Sequence, residues 1–149
     1  MMNADMRAKV LEIMDSHPDM TIATVRSDGF PQATTVSFVH DGLTLYFGCN
    51  PVSQKARNID REAKVSVTID APHSDWNEIV GLSLGGLASR VTDKDEIAKA
   101  AGLMFAKFPQ VMEYVPESAD DVRFYRIDPI AISVLDYSKG FGHCELIEL

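Results

Sequence analysis

The chain has 149 residues, of which 46% are hydrophobic and 24% are charged, and its formal net charge is −8. This length is enough for one domain with its own core, and we expect a single domain over residues 1–149. The acidity argues against a nucleic acid or an anionic membrane as partner, because both would require a broad basic surface.

Cysteine and histidine give no framework for a disulfide scaffold or a metal site. The two cysteines, Cys49 and Cys144, lie far apart, and the four histidines lack metal-ligand spacing. Free thiols favour a reducing compartment. Charged residues interrupt the first twenty positions, and no apolar run reaches the roughly eighteen residues of a membrane span. The sequence therefore predicts a cytoplasmic protein.

Apolar periodicity predicts one helix at the start of the chain, over residues 3–16, and then mainly β-strands. The Asp41-Gly42 pair lies between two alternating segments and predicts a hairpin turn. Gly85-Gly86 inside a long strand indicates a bend or a close approach by other atoms, and Pro129 indicates an interruption or bend in the last strand. The predicted strands lie at residues 20–25, 32–39, 43–48, 64–70, 79–91 and around 123–137.

Helices are few in the rest of the chain. A short helix follows the third strand, and a longer one begins after Asp93, with Glu96 as its capping-box partner. Residues 108–121 are predicted to be a loop with one helical turn, and residues 138–149 a tail. Because only one short helix separates the third and fourth strands, we predict antiparallel strands closed into a small barrel with helices outside. The apolar face of the longer helix, expected in the core, comprises Ile97, Ala101, Met104 and Phe108.

The segment SQKARNI, residues 53–59, combines a helix start with positive charge. Ser53 is a suitable N-cap, and Ala56 stands where a capping box would have glutamate. Lys55 in the first turn opposes the helix dipole unless an anion binds there. We interpret the segment as a phosphate site. The alternative is a capped surface helix whose basic residues are solvated.

The order of these segments resembles that of the pyridoxamine-phosphate-oxidase-like family of FMN-binding split barrels. The resemblance covers nearly the whole chain and rests on DGFPQATTVSFVHDGLTLYF, SQKARNI, KVSVTID and GLSLGGLASRV. It implies a mainly β (α+β) split β-barrel of about six strands, and a homodimer with FMN at the subunit interface. It also implies that Ser53 and Lys55, with Gln54 between them, hold the FMN phosphate. The other matching flavin positions are Thr34, Thr35, Val36, Gly48 and Cys49.

Three departures from the family pattern argue against oxidation of pyridoxine phosphate. Thr34 stands where many members have arginine, Val39 where the oxidase has a basic residue for the substrate's phosphate, and Gly81 where it has glutamine. We therefore expect an oxidoreductase that moves a hydride or electrons between a reduced nucleotide and a small acceptor. The alternatives are a non-catalytic flavin carrier or sensor, and a split-barrel binder of haem or deazaflavin.

Aromatic residues near the C-terminus give a further hypothesis. We expect the segment YSKGFGH, residues 137–143, to fold over a flavin, either its own or the partner subunit's. Phe141 or Tyr137 would lie near the ring, and His143 is the candidate proton-handling group, the catalytic residues being otherwise unknown. Trp76 would stack on the flavin or on the substrate, or else cover an edge of the core. The alternative for the segment is a tail that packs its aromatic residues on the dimer surface.

Overall fold

The computed structural model describes residues 1–114 and 122–149 and has one antiparallel sheet flanked by helices, as predicted. The helices are α1 (Ala4–Ser16), α2 (Gln54–Arg61) and α3 (Lys94–Lys107). The strands are β1 (Asp19–Val25), β2 (Pro31–Ser37), β3 (Val39–Asp41), β4 (Thr44–Cys49), β5 (Lys64–Asp70), β6 (Val80–Arg90), β7 (Arg123–Asp136) and β8 (Cys144–Glu148). Short 3-10 turns lie at Trp76–Glu78, Pro109–Glu113 and Tyr137–Lys139. None of the helices among the described residues combines the length and the apolar character needed to cross a bilayer.

The sheet has eight strands where about six were predicted. The strand predicted over residues 32–39 ends at Ser37, and the buried Phe38 separates it from β3. The predicted tail contains β8, which pairs with residues 131–135 of β7 and places Ile147 in the core. The loop predicted over residues 108–121 contains the expected helical turn in its first half, and its last seven residues lie outside the described ones.

Alternation of apolar and polar residues builds the core. Side chains alternate between the two faces of a strand, and directly opposed residues of neighbouring strands share a face. One inward row crosses five strands, and its residues from β1 to β8 are all buried. The helix α1 adds three buried side chains, Val10, Ile13 and Met14. The inward row comprises Ile22, Val67, Leu84, Ile132 and Ile147.

The sheet curls because its two ends are consecutive in the chain. The order of strands is β2-β1-β5-β6-β7-β4-β3, and only Phe38 separates β2 from β3. The chain thus passes directly from one end of the sheet to the other, and β2 comes close to β4. This closure forms the barrel predicted from the antiparallel strands. It leaves a gap between β2 and β4.

A β-bulge bends the long pair of strands β6 and β7. Gly85 pairs with Ala131 and Gly86 pairs with Pro129, so Ile130 is the extra residue. Proline has no N–H to donate to the ladder, and a bulge is one of the places where a strand tolerates it. A Cβ on Gly86 would lie 2.8 Å from the carbonyl oxygen of Asp128, which is the close approach that the sequence indicated.

The helix α3 buries its predicted apolar face only in part, against a cluster formed with Val39, Tyr46 and Val91, and polar contacts complete its attachment. Ala100 is its single buried residue, and Phe108 and Met104 from the predicted apolar face are half-buried. The Asp93 side chain accepts the Glu96 N–H as a cap, but the Glu96 side chain turns to the barrel instead of completing the capping box. The polar attachments join Glu96 to Tyr46 and Arg126, Lys99 to Asp41, and Lys107 to the carbonyls of His17 and Phe38.

Two glycines allow a controlled test of the bulge. Gly86→Ala should lower the free energy of unfolding by about 2 kcal/mol, because its Cβ would overlap backbone that cannot move freely. As the control, an alanine Cβ at Gly102 on α3 would meet nothing within 4 Å, so Gly102→Ala should raise the free energy of unfolding by about 1 kcal/mol. Urea unfolding of both variants measures the difference. Equal effects would show that β7 does not restrict Gly86.

Candidate functional site

The gap between β2 and β4 is a split lined by two strand edges. In the described sheet β2 pairs only with β1, and β4 pairs with β3 only over Thr44–Tyr46. The remaining edge of β4, residues 47–49, therefore lies near the free edge of β2 without a shared ladder. Edge strands carry backbone N–H and C=O groups without strand partners, so the split offers hydrogen-bonding groups to a flat ligand.

The start of α2 places a hydroxyl and a lysine at the end of β4. The Ser53 side chain accepts a hydrogen bond from the Ala56 N–H at 3.3 Å, which confirms Ser53 as the N-cap. Lys55 is half-buried and forms no ion pair with residues 1–114 or 122–149. Burial raises the pKa of the Cys49 thiol, and the Ser53 hydroxyl and the Lys55 charge oppose that rise. The three side chains thus lie close together.

A buried amide holds α2 against the first two strands. The Asn58 amide group donates to Thr24 Oγ1 at 2.9 Å and to Gln32 Oε1 at 3.1 Å. The Gln54 amide donates in turn to Asn58 Oδ1 at 2.8 Å. The side chain of Arg61 donates to the carbonyl of Val25 at the end of β1. These contacts fix α2 at the β1–β2 side of the split.

A second set of contacts fixes the opposite side of α2 to β7. The hydroxyl of Tyr125 donates to Asp60 Oδ1 at 2.9 Å, and Arg123 Nη1 lies 3.3 Å from Asp60 Oδ2. Burial, followed by the hydrogen bond to Asp60, raises the pKa of Tyr125 to about 12. Phe47 stacks on Tyr125 with 5.7 Å between the ring centroids. The helix therefore bridges the open end of the split.

The residues predicted along a flavin lie on β2 and β4, the two strands that border the split. Thr34 and Val36 are half-buried and share a face with the buried row, and Thr35 is exposed on the opposite face. Gly48 and Cys49 end β4, immediately before the turn into α2. Thr34 and Val36 thus lie on one side of the split, and Gly48 and Cys49 lie on the other.

The YSKGFGH segment lies at the other end of the sheet within one chain. β7 begins at Arg123, opposite Cys49, and ends at Asp136, immediately before the segment. The 14 residues of β7 follow the curved sheet over roughly 40 Å at about 3.3 Å per residue. One protomer therefore does not bring this segment to the start of α2.

Trp76, Tyr137 and Phe141 form an aromatic cluster on the surface. The ring centroids of Trp76 and Phe141 are 5.6 Å apart, and those of Tyr137 and Phe141 are 5.5 Å apart. Trp76 is 65% exposed and Phe141 is 77% exposed. The His143 ring instead contacts Glu145, with 2.9 Å between Nε2 and Oε1. A cluster of exposed rings is typical of a contact surface.

The outer face of five strands carries only small side chains in its middle. Two rows flank the buried row described above, one on each side, and so lie on the opposite face of the sheet. Solvent-facing strands usually carry longer polar side chains. We call these two rows the outer face. It comprises Thr35, Thr21, Thr68, Ser83 and Ser133 in one row, and Ala33, Ala23, Ser66, Gly85 and Ala131 in the other.

The sequence interpretation missed the residues that position α2. Asn58 is a polar residue within the buried stripe that Ala56 and Ile59 form, and this misplaced polarity is a signal that could have revealed it. Asp60 and Tyr125 gave no comparable signal, because their contact joins distant parts of the chain. Among the described residues, no group of three or more His, Cys, Asp and Glu side chains is placed to hold a metal ion.

Comparison with known proteins identifies a family model and several similar structures. Residues 6–136 match the model described as pyridoxamine 5'-phosphate oxidase. General stress protein 26 of Bacillus subtilis is 34% identical over 65 residues, which is 44% of this chain and 46% of that protein. The matched region thus spans about half the length of that relative.

Two solved structures illustrate how broadly this architecture is used. A proposed pyridoxamine 5'-phosphate oxidase of Listeria innocua is 26% identical, with a TM-score of 0.70 over 87% of this chain and 98% of that one. A haem-binding protein of Mycobacterium smegmatis is 20% identical, with a TM-score of 0.80 over 99% of this chain and 59% of that one. The second likeness shows the fold alone.

The Tyr125–Asp60 contact can be tested through alkaline pH. The raised pKa of Tyr125 favours the neutral phenol in the folded state, so its stabilisation is complete below pH 10.0 and is lost towards about 12. Tyr125→Phe should lower the free energy of unfolding by about 1 kcal/mol at neutral pH. It should also reduce the loss of stability between pH 10.0 and about 12. Urea unfolding against pH measures both effects, with the exposed Tyr114→Phe as control. An unchanged alkaline slope would contradict the contact.

Proposed function

Since the chain belongs to the pyridoxamine 5'-phosphate oxidase family, we propose that it binds FMN in the split, with the phosphate at the start of α2. The observation that carries this proposal is the half-buried Lys55 beside the Ser53 cap, without an ion pair among the described residues. A cation in the first turn of a helix is unfavourable until an anion lies there. A bound phosphate dianion would make the position of Lys55 favourable, because the two opposite charges attract.

The chain's own groups meet the needs of each part of FMN. The Ser53 hydroxyl, the free N–H groups of the first turn of α2 and the Lys55 ammonium would hold the phosphate. The edge groups of β2 beside Thr34 and Val36, and those of β4 beside Gly48, would hydrogen-bond the rim of the ring. Bound FMN supplies hydride and electron transfer, which no side chain can supply.

We propose that the reaction moves a hydride or electrons between a reduced nucleotide and a small acceptor. Val39 is buried, and a Cβ added to Gly81 would lie 2.9 Å from the carbonyl oxygen of Ile69. Neither offers a charge or an amide to a phosphorylated pyridoxine. We also propose a cytoplasmic location, which the free thiols of Cys49 and Cys144 support.

We propose that the outer face binds a second copy of the chain. Gly85 lies in this face, and nothing within the chain occupies the space of a Cβ there. A glycine within a strand lowers stability, so an external surface that approaches closely gives it a reason. Because its serine, threonine and alanine side chains are short, this face would allow close contact with a second copy about a two-fold axis. The aromatic cluster would then contact the partner's flavin, which explains its exposure.

An absorption spectrum of the protein as purified tests the cofactor directly. A two-banded flavin spectrum supports FMN, a Soret band indicates haem, and a colourless protein that does not take up added FMN overturns the proposal. Rapid mixing with reduced nicotinamide nucleotides then separates an enzyme from a flavin carrier. In an enzyme the nucleotide reduces the bound flavin within turnover time, and the flavin bands bleach.

Lys55→Ala should weaken FMN binding at least ~10-fold, about 1.4 kcal/mol, because it removes the cation at the phosphate. Quenching of flavin fluorescence during titration measures the affinity, and thermal unfolding of the apoprotein checks that the fold is intact. Lys94→Ala is the matched control, since this exposed lysine starts a different helix, α3. Equal affinities of the two variants would remove the phosphate site from α2.

Ser83→Arg tests the dimer, because Ser83 lies on the outer face between Thr68 of β5 and Ser133 of β7. An arginine there should give a folded monomer and weaken FMN binding at least ~10-fold, since the partner's aromatic cluster is lost. Light scattering measures the mass, and fluorescence the affinity. Ser27→Arg in the β1–β2 turn is the control. A dimeric Ser83→Arg protein would show that this face is not the interface.

A further inference from the structure

A polar cavity lies between the first turns of α1, the end of β7 and the start of β8. Its volume is about 460 Å³, which falls within the ~300–1,000 Å³ typical of small-molecule sites. Only Met6 and Val134 among its nine lining residues are apolar, so the cavity does not suit a hydrocarbon ligand. It lies at the end of β7 opposite to α2, and nothing in the proposed FMN site uses it.

The charges that line the cavity have both signs. Lys9 comes from α1, and Lys139 comes from the turn before β8. Asp5, Asp136 and Glu145 line the same space, so the lining carries a net charge of −1 while His143 is neutral. A simple anion meets three carboxylates there, and a simple cation meets two ammonium groups. The lining therefore favours a ligand that carries both charges.

The deepest carboxylate has one oxygen available for a ligand. Asp136 is only 6% exposed, and its Oδ1 accepts hydrogen bonds from the N–H and the hydroxyl of Ser138. Its Oδ2 makes no hydrogen bond to any residue that the structure describes. The Ser138 hydrogen bond, and then the charges of Lys9 and Lys139, hold the pKa of Asp136 below its usual range. Asp136 is thus an ionised acceptor within the influence of two cations, Lys9 and Lys139.

The other charged groups are arranged around this carboxylate. Glu145 Oε1 is shared by His143 at 2.9 Å and Lys139 at 3.8 Å, so Lys139 is only loosely held. Lys9 makes no ion pair with the described residues, although it lies four residues after Asp5 on one face of α1. Lys9 and Lys139 are therefore both available to a carboxylate that enters the cavity.

We propose that this cavity binds a free α-amino acid and prefers one with a basic side chain. Lys9 and Lys139 receive its carboxylate, and Asp136 Oδ2 accepts a hydrogen bond from its α-ammonium group. A cationic side chain then balances the remaining negative charge of Asp5 and Glu145. The site is independent of FMN, and it gives the protein a second ligand of a different chemical class.

Calorimetric titration of the full chain with L-arginine tests the proposal, both with its flavin and after the flavin is removed. We expect saturable binding in both forms. Agmatine, which lacks the carboxylate, and L-glutamate, which lacks the cationic side chain, should each bind at least roughly tenfold more weakly. Loss of the flavin leaves arginine binding unchanged, so failure of one proposal is distinct from failure of the other.

Lys9→Gln identifies the contact with the carboxylate. It should weaken arginine binding roughly tenfold and leave agmatine binding unweakened, a difference that a loss of folding cannot produce. Lys94→Gln on α3, outside the cavity, is the control and should bind arginine as the unaltered chain does. Absence of saturable binding, equal binding of agmatine and arginine, or full affinity in Lys9→Gln each overturns the proposal.

Discussion

The buried side-chain amide of Asn58 is the contact on which the geometry of the split depends. Its NH2 group donates to Thr24 on β1 and to Gln32 on β2, and its oxygen accepts from Gln54. An unpaired buried amide would cost about 1–3 kcal/mol, so all three partners must be in place together. This requirement links the position of the Ser53–Lys55 turn to the edge of β2.

The strands were predictable because one face of the sheet is buried. Alternation gave β1, β4, β5 and β6 nearly as they occur, but it runs without interruption through Phe38, where the chain passes between the two ends of the sheet. That change is a property of topology and leaves no local pattern. Likewise, the periodicity of α3 records its apolar residues without recording that they are covered only in part.

The candidate site was predictable only where the signal is local. An N-cap serine and a first-turn lysine are neighbours in sequence, so Ser53 and Lys55 could be identified from their spacing. The partners of Asn58 lie 34 and 26 residues away, and Tyr125 lies 65 residues from Asp60. Contacts of that separation become visible only once the sheet has curled. The residues of the proposed phosphate site could therefore be named from the sequence, whereas the groups that orient the helix were missed.

The distribution of charge explains why an anion would bind at the start of α2 on an acidic protein. The net charge of −8 disfavours anions over most of the surface. Near α2, the carboxylate of Asp60 is turned towards Tyr125 and Arg123, and Arg61 is turned towards the end of β1. The positive groups at the start of the helix include Lys55 and the free N–H groups of the first turn. The negative charge of the surrounding surface repels free anions. We therefore expect a phosphate to bind tightly there only as part of a ligand whose remaining atoms fit the split.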